Sequence, residues 1–260
     1  MRRSVPPRRV AAALLLGVFA PAGVADASWQ VPAPRLARYT HFTNLADGAT
    51  IETPFLLKFG LVGMGLAPIT QAQPNTGHHH LLINRELPLD FGKPLPFSDQ
   101  YVHFGKGQME TVLTLKPGQY TLRLVLADNR HVPDFVYSKP LHVTVTKFHP
   151  EVAPDALSRP GVEILLPKTA ARVREPFEVE FHASKANVSH IALRQPGTGH
   201  FRLRVTSERG ESQLLDMTGG ETETWLAPPH GRYTLALDFV DNVEPGRVLY
   251  SAKPAQFEVD

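Results

Sequence analysis

Four histidines in the first half of the sequence are spaced in a way that suits a shared metal ion. Residues 76–84 read TGHHHLLIN, and two further histidines follow in YVHFGKGQMET and ADNRHVP. Imidazole is a good ligand for copper(II) and zinc, and the stability order of divalent ions favours copper where it is available. The chain has no cysteine, so thiolate ligands are excluded. These residues predict a copper or zinc site on His78, His80, His103 and His131.

The period of a β-strand separates the three consecutive histidines. Side chains alternate between the two faces of a strand, so His78 and His80 share one face, with Cα atoms about 7 Å apart. We interpret His79 as a core-facing histidine with one ring nitrogen bonded to the backbone. Met64 and Met109 could offer soft sulfur ligands, but methionine in a glycine-rich loop is more often a filler of apolar gaps.

The chain contains two copies of one pattern. Residues 107–129 align without a gap with residues 220–242, and eleven positions are identical, 113 residues apart. The segment GHHHLLI at 77–83 aligns with GHFRLRV at 199–205. Self-similarity over such a distance indicates a duplicated domain.

The second copy serves as an internal comparison for the histidines. Arg202, Asp216 and Glu244 stand at the positions of His80, His103 and His131, and only His78 has a histidine counterpart, His200. In the second copy, alternation predicts that Phe201, Leu203 and Val205 face the core and that His200, Arg202 and Arg204 face water. Two carboxylates recur in both copies, Glu110 with Glu223 and Asp128 with Asp241, which favours structural roles for them.

Short alternating runs such as TVLTL, YTLRLVL and FEVEF predict strands throughout, with no sustained helical stripe. In YTLRLVL and its flanks, Tyr120, Leu122, Leu124 and Leu126 should share a core-facing side. Each copy has about 100 residues, the size of an immunoglobulin-like sandwich. We predict an all-β protein with tandem immunoglobulin-like domains. The expected divisions are a signal peptide at 1–27, an N-terminal extension at 28–39, a histidine-containing sandwich at 40–147, a Pro-rich linker at 148–160 and a degenerate repeat at 161–260.

The N-terminal residues have the pattern of an export signal. Four arginines precede an apolar run that is too short for a membrane span, and Ala25 and Ala27 are spaced like a cleavage site. We expect a periplasmic or secreted protein without a membrane span. Removal of residues 1–27 leaves 23 basic and 24 acidic residues, so nucleic acid is not an expected partner.

The motifs of the first copy resemble an uncharacterised family of exported bacterial domains, domain of unknown function 4399. The resemblance covers residues 50–146 and rests on GM at 63–64, AP at 67–68, GHHHLLI at 77–83, HFGKGQ at 103–108, Glu110, and Asp128 with His131. The sequence departs from the family at Met109, where threonine is usual, and at Tyr101 and Tyr120, where histidine is frequent. The second copy is similar to a divergent member. The resemblance implies an exported domain and assigns no activity.

Two functions follow from these observations. The first is an exported copper or zinc carrier or buffer that uses the four histidines. The alternative is a non-enzymatic module of the cell envelope that recognises a protein or a polymer through the same face. No nucleophile elbow, P-loop, dinucleotide fingerprint or zinc-protease helix occurs in the sequence. A metal with an open coordination position would still allow hydrolytic or redox chemistry.

Overall fold

The structure is a computed structural model that describes residues 28–35, 37–87 and 90–260. The predicted signal peptide, residues 1–27, lies outside the described residues. Strands make up 51% and helices 3% of the described residues. The predicted all-β class is confirmed.

Strands follow one another with short connections along the whole described chain. The first eleven are β1 (Gln30–Val31), β2 (Tyr39–Phe42), β3 (Thr50–Thr53), β4 (Phe55–Val62), β5 (Gly65–Leu66), β6 (Thr76–Ile83), β7 (Tyr101–His103), β8 (Glu110–Leu113), β9 (Gly118–Ala127), β10 (Pro133–Tyr137) and β11 (Leu141–Phe148). The next ten are β12 (Gly161–Leu166), β13 (Arg172–Val173), β14 (Phe177–Ser184), β15 (Asn187–Val188), β16 (Thr198–Ser207), β17 (Ser212–Asp216), β18 (Glu223–Leu226), β19 (Gly231–Asp241), β20 (Val248–Ser251) and β21 (Ala255–Val259). Two short 3-10 helices span Pro154–Leu157 and Ile191–Leu193.

The first domain packs two sheets face to face. The larger sheet has the order β3-β11-β9-β6-β5, with β10 added to β9 and β7 added to β6, and the smaller sheet has the order β2-β4-β8. Their inner faces form one apolar cluster that includes Phe59, Leu81, Leu122, Leu124 and Val143. The inward alternation predicted for β9 is confirmed, because Leu122, Leu124 and Leu126 are fully buried and Tyr120 packs against the same core.

The second domain repeats this arrangement with one additional strand, β1, in its smaller sheet. Its larger sheet has the order β13-β21-β19-β16-β15, with β20 on β19 and β17 on β16, and its smaller sheet has the order β1-β18-β14-β12. Phe201, Leu203 and Val205 are completely buried in its core, as alternation predicts. The two domains are tandem immunoglobulin-like sandwiches.

One strand of the second domain comes from the N-terminal extension. β1 pairs antiparallel with β18, and Trp29 beside it is buried with its ring 5.5 Å from that of Tyr233 in an edge-on contact. Trp29 is also held through its backbone, since Trp29 N donates to the side-chain oxygen Oε1 of Gln213 at 2.8 Å and Ala227 N donates to Trp29 O at 2.8 Å. Residues 29–31 of the N-terminal extension are therefore an integral part of the second domain.

The two sandwiches share a continuous interface. Leu66 N donates to Gly220 O at 2.8 Å, and the equivalent pair in the other direction, Val188 N to Gly107 O, is 2.9 Å. Leu61, Met64, Leu66 and Met109 of the first domain belong to the same apolar cluster as the core of the second domain. Both methionines therefore fill apolar space between the domains. Within the described part of the chain, no helix is long and apolar enough to cross a membrane.

Candidate metal centre

One buried strand, one half-buried edge strand and one turn bring the four predicted histidines together. His78 and His80 lie on β6, which runs between β9 and β7, and the register places His80 directly opposite His103 on β7. His131 lies in the turn after β9 and has a left-handed backbone with φ of 66°. We call His78, His80, His103 and His131 the histidine cluster.

The imidazoles of the histidine cluster converge on one point. All six pairs of rings have centroids between 4.7 and 5.9 Å apart. The Nε2 atoms of His78 and His80 are 2.9 Å apart, and those of His103 and His131 are 3.2 Å apart. Candidate ligand nitrogens of His78, His80 and His103 all lie within 4.8 Å of one another. Three of these side chains could thus hold one ion, with His131 beside them.

The outer face of the sheet is covered at this point. A segment that we call the strap, residues 91–100, crosses it: Leu95 is buried against Leu82, Val125 and Ala127. Phe97 lies with its ring 5.3 Å from His103 and 5.0 Å from His131. As a result His78 and His80 are 1% and 0% exposed although they point away from the sandwich core. The strap was not predicted from the sequence; its signal is KPLPF at 93–97, in which Leu95 lies between two prolines and Phe97 follows.

Burial favours the neutral imidazole at His78, His80 and His103. Burial, together with repulsion from neighbouring imidazoles, lowers the pKa of His78 to about 3 and that of His80 to about 2. Burial and His131 also lower the pKa of His103. Metal binding requires neutral imidazole, so protons compete weakly with a metal at these positions. The Nδ1 atoms of His78 and His80 are buried and lack a hydrogen-bond partner among the described residues, and a set of neutral nitrogen donors fits copper or zinc.

His79 lies on the opposite face of β6, as predicted. Its ring is 5.4 Å from that of Phe59 and is fully buried. Neither ring nitrogen has a well-aligned hydrogen bond within the described chain, but the backbone of Gln108 and Gly60 interacts with the ring, in line with the expected bond to the backbone. Burial lowers the pKa of His79 to about 4, and the backbone of Gln108 and Gly60 opposes this shift in part.

The second copy replaces the cluster by an ion-pair network. Asp216 accepts from Arg202 Nη2 at 2.9 Å and lies 2.9 Å from His200 Nε2. His200 Nδ1 lies 2.7 Å from Asn242 Oδ1. The prediction that His200 faces water is wrong: it points away from the core but is 0% exposed, because Asp216 and Asn242 cover it. The positive charge of this network is the guanidinium group of Arg202.

The recurring carboxylates have the structural roles predicted for them. Asp128 Oδ1 accepts from the backbone N–H groups of Arg130 at 2.8 Å and Val132 at 3.0 Å, and so shapes the turn that carries His131. Glu110 reaches across the domain interface, where it accepts from Ser184 Oγ at 2.9 Å and from Lys185 N at 3.1 Å.

The chain thus consists of tandem immunoglobulin-like domains with a histidine cluster on the first. The family described as Domain of unknown function (DUF4399) matches residues 57–146 and 179–253. The chain belongs to this family, and both copies are matched, as the resemblance implied. No curated protein matches the chain.

Several solved structures have a similar succession of β-domains. The fibronectin(III)-like modules of CbhA from Clostridium thermocellum are 13% identical, with 85% of this chain and 92% of that chain covered and a TM-score of 0.25. A tetra-tandem repeat from the extending region of a large adhesion protein is 10% identical, with 86% and 50% covered and a TM-score of 0.26. Dimeric latent PorU from Porphyromonas gingivalis is 13% identical, with 86% and 20% covered and a TM-score of 0.30. Identities and TM-scores this low carry no argument about function.

Proposed function

We propose that this chain is an exported metal-binding protein, a carrier or buffer for copper or zinc, and that the histidine cluster is its metal site. The observation that carries the proposal is the convergence of four imidazoles from β6, β7 and the turn after β9. Ligand nitrogens of three of them, His78, His80 and His103, lie within 4.8 Å of one another. Imidazole ligands suit copper(II) and zinc, and copper is favoured where both are present.

The second copy supports this assignment. It has the same fold and the same strand register, yet it holds an aspartate and an arginine where the first copy has His103 and His80. The fold alone does not require imidazole at these positions, because the second copy satisfies them with an ion pair. The imidazoles of the first copy therefore call for a chemical explanation, and metal coordination supplies one.

Metal uptake by the purified chain tests the proposal. We expect one equivalent of Cu(II) or Zn(II) by isothermal titration calorimetry and elemental analysis of the dialysed protein. His78→Ala and His103→Ala should each weaken binding strongly, since each removes a direct ligand. His142→Ala is the matched control, because His142 is an exposed histidine of the same domain, 2.9 Å from Asp47. A chain that takes up neither metal, or His78→Ala and His103→Ala variants that bind as tightly as the His142→Ala variant, would refute the proposal.

A second candidate function is a non-enzymatic module of the cell envelope. Phe97, beside the cluster, and Phe135, which stacks on Phe91 of the strap, are 64% and 74% exposed, and exposed phenylalanines of this kind favour contact with a protein or polymer. Co-sedimentation with isolated cell-wall polymer checks this reading. Binding that is lost in Phe135→Ala and persists in His103→Ala without metal would support it over the metal function.

A further inference from the structure

The strap is an addition specific to the copy that carries the histidine cluster. His80 and His103 are cross-strand neighbours separated by 23 positions in the sequence, whereas their counterparts Arg202 and Asp216 are separated by 14. The first copy thus has nine extra residues in this connection. In the second copy, β17 pairs with β16 over five positions, and β7 pairs with β6 over three. The extra residues form a covering segment in place of a longer edge strand.

The strap is attached to the domain at the histidine cluster and also beside it, where Leu95 packs against Leu82, Val125 and Ala127 and Ile83 N donates to Gln100 O at 3.0 Å. Among the described residues, a backbone hydrogen bond joins it to the turn after β9, from Leu95 N to His131 O at 2.8 Å. Phe97 contacts the rings of His103 and His131. At the other end of the strap, Phe91 stacks on Phe135, with centroids 4.4 Å apart and planes 5° from parallel. The strap therefore contacts the two histidines that lie outside β6.

The histidine cluster divides into a fixed pair and a peripheral pair. His78 and His80 are on β6, which is paired with β9 over six positions and lies inside the sheet. His103 ends the three-residue edge strand β7, which continues from the strap, and His131 is in a turn. Movement of the strap would therefore change the position of His103 and His131 and leave His78 and His80 in place.

The second copy shows how the same elements are joined without a metal. There Asp216 on β17 holds both His200 and Arg202 on β16, and Arg202 Nη1 donates to Pro245 O at 3.3 Å in the turn after β19. Opposite charges and hydrogen bonds link strand, edge strand and turn there. In the first copy the same three elements meet through imidazoles alone, with no carboxylate of the described residues to pair with them, and the Nε2 atoms are 2.9 Å apart in His78 and His80 and 3.2 Å apart in His103 and His131.

We propose that the metal is the cross-link between strand, edge strand and turn in the first domain, and that its binding closes the strap over the site. This inference rests on the proposed function and adds its regulation. With metal, His103 and His131 are fixed against His78 and His80, and the strap is held by Leu95 and Phe97. Without metal, the strap and the turn after β9 open locally, and the fixed pair becomes accessible for loading. The second domain stays closed in both states because its cross-link is built from side chains.

Amide hydrogen exchange of the full chain with and without Zn(II) or Cu(II) tests the inference. We expect exchange in residues 91–103 and 128–132 to slow by about tenfold or more when metal is bound, since local opening governs exchange in such segments. Residues 212–216 and 241–247 are the internal control and should not change. If metal uptake is measured in the same sample and residues 91–103 and 128–132 exchange equally with and without it, the strap inference is wrong and the metal function stands. If neither metal is taken up, the proposed function fails and the inference with it.

Metal release gives a second, kinetic readout. Phe97→Ala removes a contact with two histidines, and Phe91→Ala removes the stack on Phe135 at the far end of the strap. Both variants should transfer metal to a chelator about tenfold faster than the wild type, a size typical of changes in residues that support metal ligands. Phe148→Ala, at the end of β11 in the same domain, is the matched control and should release metal at the wild-type rate. A wild-type rate in Phe91→Ala would contradict the strap as a closure.

Discussion

At the scale of single residues, comparison of the two copies separates the residues that shape the turn after the central strand from the residue that this turn presents in one copy only. Asp128 and its counterpart Asp241 both accept two backbone N–H groups in the turn that follows the central strand, for Asp241 from Val243 at 2.7 Å and Glu244 at 3.1 Å. Burial works to raise the pKa of Asp128, but the amides of Val132 and Arg130 and the Arg130 side chain lower it overall. The Asp128 carboxylate therefore stays ionised, and in both copies the aspartate fixes the turn through its two backbone N–H groups. In the first copy alone that turn presents His131.

Replacement of Asp128 should affect stability and metal binding together. Asp128→Ala leaves two turn amides without their acceptor, so we expect a loss of about 1 to 2 kcal/mol in the free energy of unfolding. It also releases His131, and metal affinity should fall about tenfold, as for other residues that position ligands. Asp241→Ala is the matched control: it should cost similar stability in urea unfolding and leave metal affinity unchanged. Equal metal affinity in the two variants would show that the turn does not position a ligand.

At the scale of elements, β1 is the least expected part of the fold. Its two residues lie in the predicted extension, more than 190 positions from their partners on β18. Trp29 supplies a large apolar side chain to the core of the second domain and is 8% exposed. A two-residue strand cannot stabilise itself, so the burial of Trp29 must hold β1 in place.

Truncation of this side chain should destabilise the second domain. Trp29→Ala removes a buried indole, and we expect the free energy of unfolding to fall by about 3 kcal/mol or more. Urea unfolding followed by circular dichroism and by the fluorescence of Trp225, which pairs with Val31, measures the loss. Arg35→Ala, an exposed residue of the same segment, should have no measurable effect. Wild-type stability of Trp29→Ala would mean that β1 is dispensable.

Local pattern predicted most of the strands, and contacts between distant segments account for what it missed. The alternation in YTLRLVL and GHFRLRV reflects the inner and outer faces of one sheet. The sequence therefore predicted which face of β9 and β16 is in the core, and that His79 points to the opposite face from His78 and His80. The burial of His78, His80 and His200 did not, because alternation gives the face of a side chain and not what covers that face. The strap, β1 and the domain interface all depend on pairings that no local period records.

At the scale of the whole molecule, the two domains behave as one packed body. Leu61, Met64, Leu66 and Met109 merge with the second core, and reciprocal backbone bonds join the domains. Polar contacts surround this apolar centre: His41 Nε2 lies 2.8 Å from Glu180 Oε1. A shared core of this kind predicts a single cooperative unfolding transition rather than one for each domain.

Glu110 is the polar group on which this interface depends most. It accepts from Ser158 and from Ser184 and Lys185, and lies 3.1 Å from His182 Nε2. Burial alone would raise the pKa of Glu110, but the hydrogen bonds from His182, Ser158 and Ser184 lower it to about 2. Because the folded chain binds this proton less readily than the unfolded chain, the ionised carboxylate stabilises the protein above a pH of about 4.5. That contribution is lost as the pH falls from about 4.5 towards 2.

Removal of this charge should therefore weaken the interface in a way that depends on pH. Glu110→Gln should lower the free energy of unfolding by about 2 kcal/mol at pH 7, the range for hydrogen bonds to a charged group. The difference from the wild type should shrink as the pH falls below about 4.5, since the wild-type carboxyl then becomes neutral as well. Urea unfolding at pH 7, 4 and 3 measures it, with Glu244→Gln, an exposed glutamate of the second domain, as the control. If the difference in the free energy of unfolding is constant over this pH range, the loss of stability comes from the shape of the side chain and not from its charge. The ionised carboxylate would then not stabilise the interface between the two domains.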